Sequence, residues 1–151
     1  MDLTGYELEP LRADGDFALY RARGAGHPVS VLALFATRAA SQSITRLEHE
    51  YGLAPLLDAS WAAQPLALDQ RRVPPMLVLA DNGGEPLDCM LGGPLEMGRC
   101  LSIAVNLARA IGQVHRCGLV HKDIKPANVL VDTEGNVRLT GFGVASQLPQ
   151  E

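Results

Sequence analysis

The stretch His121-Lys122-Asp123-Ile124-Lys125-Pro126-Ala127-Asn128 limits what this chain can be more than any other feature. It packs an acid, two lysines and a carboxamide into one loop between two recognisable elements. Upstream, Leu101, Ala104, Ala108, Ile111 and His115 recur at helical spacing and predict a long helix over about 96–116, with Gly118 placed to end it. Downstream, Val129-Leu130-Val131-Asp132, the turn Thr133-Glu134-Gly135-Asn136 and Val137-Arg138-Leu139-Thr140 predict a small β-hairpin. Phosphoryl transfer to a hydroxyl needs a carboxylate to accept the proton, a cation near the phosphate and an oxygen ligand for magnesium. Asp123, Lys125 and Asn128 supply all three from one loop. The plainer alternative is a polar turn whose Asp and Asn only cap backbone groups.

The first half reads differently. Short strands are expected at 7–9 and 17–22, a turn at Gly24-Ala25-Gly26-His27-Pro28, and a buried strand at the apolar run 29–35. Residues 41–57 turn helical, with Ser43 as a cap and Ile44, Leu47, Tyr51 and Ala54 along one face. Two further strands are expected at 64–68 and 76–80, before the break Asn82-Gly83-Gly84-Glu85-Pro86. The plan is therefore α+β. A strand-rich lobe with one helix spans 1–81, a helical lobe spans 82–151, and a ligand cleft lies between them.

Composition narrows the partners. An apolar share of 47% with 20% charged residues gives a globular chain rather than a disordered one. A net charge of −4 and a single adjacent basic pair, Arg71-Arg72, argue against a nucleic-acid partner. The longest apolar run is too short to span a bilayer, and the acidic start is no signal peptide. Cys89, Cys100 and Cys117 show no metal spacing, so free thiols and a cytoplasmic location are expected. Lys122 and Lys125 are the only lysines, against eleven arginines.

His-Lys-Asp-Ile-Lys-Pro-Ala-Asn followed by Val-Leu-Val-Asp resembles the catalytic loop of a protein kinase and the strand after it. The resemblance implies a bilobal protein-kinase-like fold with an incomplete helical second lobe. It also implies residue roles: Asp123 as catalytic base, Lys125 as the phosphate-side lysine of Ser/Thr-type kinases, Asn128 as magnesium ligand. His121 becomes the loop anchor and Leu130 the apolar floor beneath an adenine. Glu50 falls where kinases place the glutamate that pairs with a strand lysine. Met76 to Gly84 resembles the last strand of the small lobe and the hinge, with Leu79 as gatekeeper and Ala80 to Asn82 facing the adenine edge. The cofactors implied are ATP and Mg2+ if the chain is active, or none.

Three parts depart from that pattern. The strand that should read Val-Ala-Ile-Lys reads Val29-Ser30-Val31-Leu32, and no lysine precedes residue 122. The glycine-rich cover is replaced by Arg12-Ala13-Asp14-Gly15-Asp16-Phe17-Ala18, whose acids would repel a triphosphate. The metal-binding Asp-Phe-Gly is replaced by Gly141-Phe142-Gly143, without a carboxylate. Groups that offset charge in a transition state are worth about 3–4 kcal/mol per contact, so transfer would slow by several orders of magnitude. Arg21, Arg23 and Arg38 are the candidates to compensate.

Gly5-Tyr6-Glu7, Arg46-Leu47-Glu48-His49-Glu50-Tyr51, Gly83-Gly84-Glu85-Pro86-Leu87 and Leu139-Thr140-Gly141-Phe142-Gly143 together look like the N-terminal Ser/Thr-kinase-like domain of large bacterial hybrid sensor proteins. That resemblance implies downstream ATPase, sensory and histidine kinase domains as partners. Two functions compete: a Ser/Thr kinase domain, and a pseudokinase that regulates or docks a signalling protein. The chain stops eight residues past Gly143, so it is expected to lack an activation segment and later helices, leaving an uncovered apolar face on the long helix around Ile103 to Ile111.

Overall fold

The computed structural model describes residues 3–26, 28–38 and 40–149; His27 of the expected turn, Met1 and Glu151 lie outside them. Five antiparallel strands form the first sheet: β1 (Tyr6–Asp14), β2 (Phe17–Gly24), β3 (Val31–Ala36), β4 (Pro65–Asp69) and β5 (Met76–Ala80). Their order is β1-β2-β3-β5-β4. β3 is buried along its whole length, as a continuous apolar run between two covered faces requires. One face packs Ala33, Phe35 and Val78 with Met76. The other presents Leu32, Leu34, Leu77 and Leu79 to the helix α1 (Ser41–Gly52) through Leu47.

The helix differs from expectation in three ways. It ends at Gly52 rather than near residue 57, and Ala54–Leu56 form a separate 3-10 turn begun by Pro55. Ser43 is not a cap: α1 starts at Ser41 after Ala40, with no side-chain cap. Its buried stripe is Ser43, Leu47 and Glu50, while Tyr51 faces solvent. Polar residues occupy core-facing positions because that stripe looks into the cleft as well as onto the sheet.

The second lobe is built on α2 (Met97–Arg116), which Glu96 caps by accepting the N–H groups of Gly98 and Arg99. Gly118, at φ +69°, closes its far end through Gly118 N–H to the His115 carbonyl. The helix buries Ile103, Ala110 and Val114, and exposes Met97, Leu101 and Val105. The expected stripe Leu101-Ala104-Ala108 is thus the solvent side. Apolar residues repeat along two flanks of this helix, and spacing alone does not say which flank meets the core.

Short strands β6 (Glu85–Pro86), β8 (Val129–Val131) and β9 (Val137–Leu139) form a second sheet, and β7 (Leu119–Val120) pairs with β10 (Ser146–Gln147). The core beneath them unites Val129, Val131, Leu139 and Phe142 with α2. It also draws in Leu53, Leu57, Trp61 and Ala62, from the stretch between α1 and β4. Cys89, Cys100 and Cys117 are free and exposed. Among the described residues, no helix is long and apolar enough to cross a membrane.

The hinge between lobes is drawn tight by an ion pair. Arg21 Nε lies 2.7 Å from Asp81 Oδ2, Arg21 also donates to the Gly84 carbonyl, and Ser30 donates to Asp81 at 2.6 Å. Burial would raise the Asp81 carboxyl, but bonds from Arg21, Ser30 and Gly83 hold it below the usual range. Gly84, at φ +92°, passes so close to β8 that a Cβ would sit 2.9 Å from the Val131 backbone.

Candidate active site

The loop at 121–128 is held by its own side chains. His121 is buried; its Nε2 donates to the Thr140 carbonyl at 2.9 Å, while Nδ1 accepts the Asp123 N–H at 3.2 Å. Those two bonds fix a neutral tautomer, and burial pushes the imidazole pKa down in agreement. Asn128 Nδ2 donates to both the carbonyl and Oδ2 of Asp123, at 2.9 and 3.0 Å. Asn128 in turn accepts the Thr140 N–H on its own carbonyl. Lys125 Nζ stands 3.3 Å from Asp123 Oδ2. Asp123, Lys125 and Asn128 therefore converge, as their spacing suggests.

Glu50 comes to the same place from α1. It is fully buried, and its Oε1 accepts the Gly141 N–H at 3.3 Å. Burial raises its pKa to about 7, against the pull of the Phe142 and Gly141 N–H groups and the nearby Arg12 charge. The helix rests directly on the turn at 141–145. His49 Nε2 meets the Ala145 carbonyl at 2.6 Å, and a Cβ on Gly143 would come within 3.0 Å of Arg46. Phe142 is sealed beneath, 4.5 Å from the His121 ring and 6.4 Å from Trp61 between centroids.

The cation that faces this acid is Arg12. Arg21 is spent on Asp81, Arg23 lies 3.3 Å from Glu9 on the outer strands, and Arg38 is exposed. None of those three lines the cleft cavity described below. A bulge between Pro10 and Arg12 shifts the β1–β2 register so that Arg12 pairs with Leu19, which faces the cleft. The Arg12 guanidinium reaches Asn128 Oδ1 at 3.1 Å. Its pKa is lowered by burial, opposed by Asp14, Glu50, Asp88 and Asp123. Two residues on, and so on the same strand face, Asp14 meets Lys125 Nζ at 2.5 Å. That bond holds the Asp14 carboxyl below its usual range and raises Lys125.

Neither Arg12 nor Asp14 was among the site candidates read from sequence. The available signal was a basic and an acidic residue two apart at the very place where a glycine-rich cover was missing.

A cavity of about 150 Å³ opens among Arg12, Asp14, Glu50, Asp123, Lys125 and Asn128. Its lining includes none of Leu79, Ala80, Asn82 and Leu130. Leu130 and Leu79 belong instead to one buried cluster with Leu19 and Leu32, so the side chains expected to line an adenine site are shielded from solvent. The Ala80 N–H is bonded to the Gln64 carbonyl, and Asn82 is exposed at the hinge.

The residues present do not fit a magnesium nucleotide. Leu32 is wholly buried in the leucine cluster, Gly141 offers no carboxylate, and Asn128 Oδ1 is taken by Arg12. A Cβ at Gly141 would lie 2.7 Å from the Asn128 side chain, so the space an aspartate needs is filled. Among the described residues, no group of three or more His, Cys, Asp or Glu side chains is placed to hold a metal ion.

Comparison with known proteins gives these features a common origin. The protein kinase domain family matches residues 76–151, the half that carries the hinge, α2, the loop and the 141–143 turn. Serine/threonine-protein kinase PknK of Mycobacterium tuberculosis is 38% identical over 73 residues, 47% of this chain and 7% of PknK. Serine/threonine-protein kinase PknA of the same species is 39% identical over 71 residues, 46% of this chain and 16% of PknA. Serine/threonine-protein kinase PrkC of Bacillus subtilis is 43% identical over 56 residues, 37% of this chain and 9% of PrkC. The aligned segment thus spans well under a fifth of each relative. With half its length matched and an α+β bilobal architecture around the matched loop, this chain belongs to the protein kinase domain family.

Proposed function

We propose that this is a Ser/Thr-type protein kinase domain by descent that now works as a pseudokinase: a regulatory or docking module within a larger bacterial signalling protein. The hybrid sensor proteins that its N-terminal phrases resemble would be the setting, with their other domains as partners. What carries the reading is the leucine cluster. Leu32 stands at the lysine position and packs with Leu19, Leu79 and Leu130, closing the place an adenine would enter. The loss of a carboxylate at Gly141 acts in the same direction on the metal side.

An active Ser/Thr kinase is the second reading, favoured by the convergence of Asp123, Lys125 and Asn128. In it Asp123 would accept the substrate hydroxyl proton, and Lys125 would hold the transferring phosphate. A thermal-shift titration with ATP, with and without Mg2+, separates the two. A ligand at 100 times its dissociation constant adds about 2.7 kcal/mol. The pseudokinase reading expects an unchanged melt up to millimolar ATP. A magnesium-dependent rise that Asn128→Ala abolishes would refute it, and phosphate transfer to a Ser/Thr peptide would then be measured.

A further inference from the structure

We propose that the β1–β2 hairpin is an internal occupant of the phosphate end of the cleft: Arg12 takes the place of a divalent cation at Asn128, Asp14 takes the place of a phosphoryl group at Lys125, and the two lobes are latched shut without metal or nucleotide. The proposal rests on the pseudokinase reading and adds how its cleft is kept closed.

The chemistry is complementary at both contacts. Asn128 Oδ1 beside Asp123 is an oxygen site for a cation, and the Arg12 guanidinium donates to that oxygen at 3.1 Å. Four carboxylates, Asp14, Glu50, Asp88 and Asp123, surround that guanidinium and keep it charged against the cost of burial. Lys125 is an ammonium presented for an oxyanion, and Asp14 gives it a carboxylate at 2.5 Å. The two contacts are independent in the sequence that receives them, at residues 125 and 128. Yet they come from positions i and i+2 of one strand.

Backbone geometry aims them. The bulge after Pro10 turns Arg12 to the cleft face, and the strand then runs straight to Asp14, which pairs with Phe17 across a two-residue turn. Gly15 makes that turn possible at φ +55°. A longer cover would leave room above Lys125, whereas this turn brings a carboxylate down onto it. One donor stays idle: Arg12 Nε is buried without a partner. The Asp14–Lys125 half of the latch opens at low cost, because that pair remains well exposed, while the Arg12 contact beneath it is partly buried.

The test is hydrogen exchange on the full chain without nucleotide, comparing wild type with Asp14→Asn and Arg12→Met. Amides of 12–19 and 123–128 are expected to exchange about threefold faster in Asp14→Asn and about tenfold faster in Arg12→Met. Asp14→Asn and Lys125→Met combined should be no faster than Lys125→Met alone, since the lysine variant already breaks the Asp14 contact along with the one to Asp123. Tripolyphosphate without Mg2+ should bind Asp14→Asn about fivefold more tightly than wild type, because the carboxylate no longer competes. Asp14→Asn keeps size and shape at an exposed tip, so a folding defect in Arg12→Met leaves the answer with it. Unchanged exchange in Asp14→Asn, or equal tripolyphosphate affinity, would overturn the latch while leaving the pseudokinase reading intact. A magnesium-dependent ATP shift in wild type would instead refute that reading, with the latch still judged by nucleotide-free exchange.

Discussion

On the loop side of the cleft, His121, Asp123, Asn128 and Thr140 hold one another through five hydrogen bonds, and Phe142 seals the turn beneath them. On the sheet side, the positions that face the loop carry Leu19, Leu32 and Leu79, and the hairpin tip carries Arg12 and Asp14. One side ties its polar groups to one another, and the other turns leucines and an Arg–Asp tip toward them. On the pseudokinase reading proposed above, the loop persists as architecture. Its side chains satisfy each other whether or not a substrate arrives, while a nucleotide-binding sheet keeps its shape only if something fills it. Here leucines fill it.

The largest expected effect tests whether the sheet side is held as rigidly at the hinge as the loop side is at His121. Asp81→Ala would leave Arg21 buried beside only the Gly84 carbonyl, and breaking a buried pair from one side costs about 3–5 kcal/mol. Urea denaturation should show a loss of that size. A loss under about 1 kcal/mol would mean that the Arg21–Asp81 pair behaves as an exposed one and that the hinge is looser than its contacts imply.

Glu50 joins the two sides and makes the junction pH-dependent. Its folded pKa of about 7 exceeds the ordinary value of 4.5, so between those limits the folded state binds more protons than the unfolded one. This group's contribution is fully favourable below pH 4.5, declines as pH rises, and levels off above pH 7. The fall is about 3 kcal/mol across the window. Glu50→Gln should flatten that slope and raise stability at pH 8, since an amide oxygen can still accept the Gly141 N–H. Parallel curves for wild type and variant would place the titration elsewhere.

Much of this contrast was legible in the chain, and the part that was not has a physical reason. The order helix, loop, hairpin followed from spacing because the loop's partners are local: His121 to Asp123, Asp123 to Asn128, Asn128 to Thr140. The leucine at position 32 and the glycine at 141 were visible as substitutions, since they sit in motifs read along one segment. Arg12 was not found, because its role depends on a one-residue bulge that turns it from the outer face to the cleft. A register shift leaves no periodic trace in sequence. The burial of α2 on Ile103 and Val114 rather than Leu101 was equally hidden, as two apolar flanks satisfy the same spacing.

A third prediction asks whether the loop side has adapted to the loss of its carboxylate. Gly141 sits at φ +79°, and a Cβ there would lie 2.7 Å from Asn128. Gly141→Asp should therefore destabilise by about 2 kcal/mol, combining left-handed strain with displacement of Asn128 from Arg12 and Asp123. A neutral result in a thermal melt would mean that the loop still accepts the family's aspartate without rearrangement, and that the divergence lies in the sheet alone.

The smallest effect concerns the one flaw on the otherwise satisfied loop side. Thr140 gives its N–H to the Asn128 carbonyl and its own carbonyl to His121, yet its hydroxyl is buried without a partner. Burying an unpaired hydroxyl costs about 1–3 kcal/mol, whereas a methyl group in the same space costs no desolvation. Thr140→Val should thus gain about 1 kcal/mol, read as a higher urea midpoint at unchanged slope. The backbone bonds at residue 140 are untouched by this change, so the gain would isolate the side chain from the loop it supports. A loss on substitution would instead show that the hydroxyl is bonded in solution. The loop side would then depend on a contact outside its own ring of hydrogen bonds, and would be less self-sufficient than the contrast with the leucine-filled sheet requires.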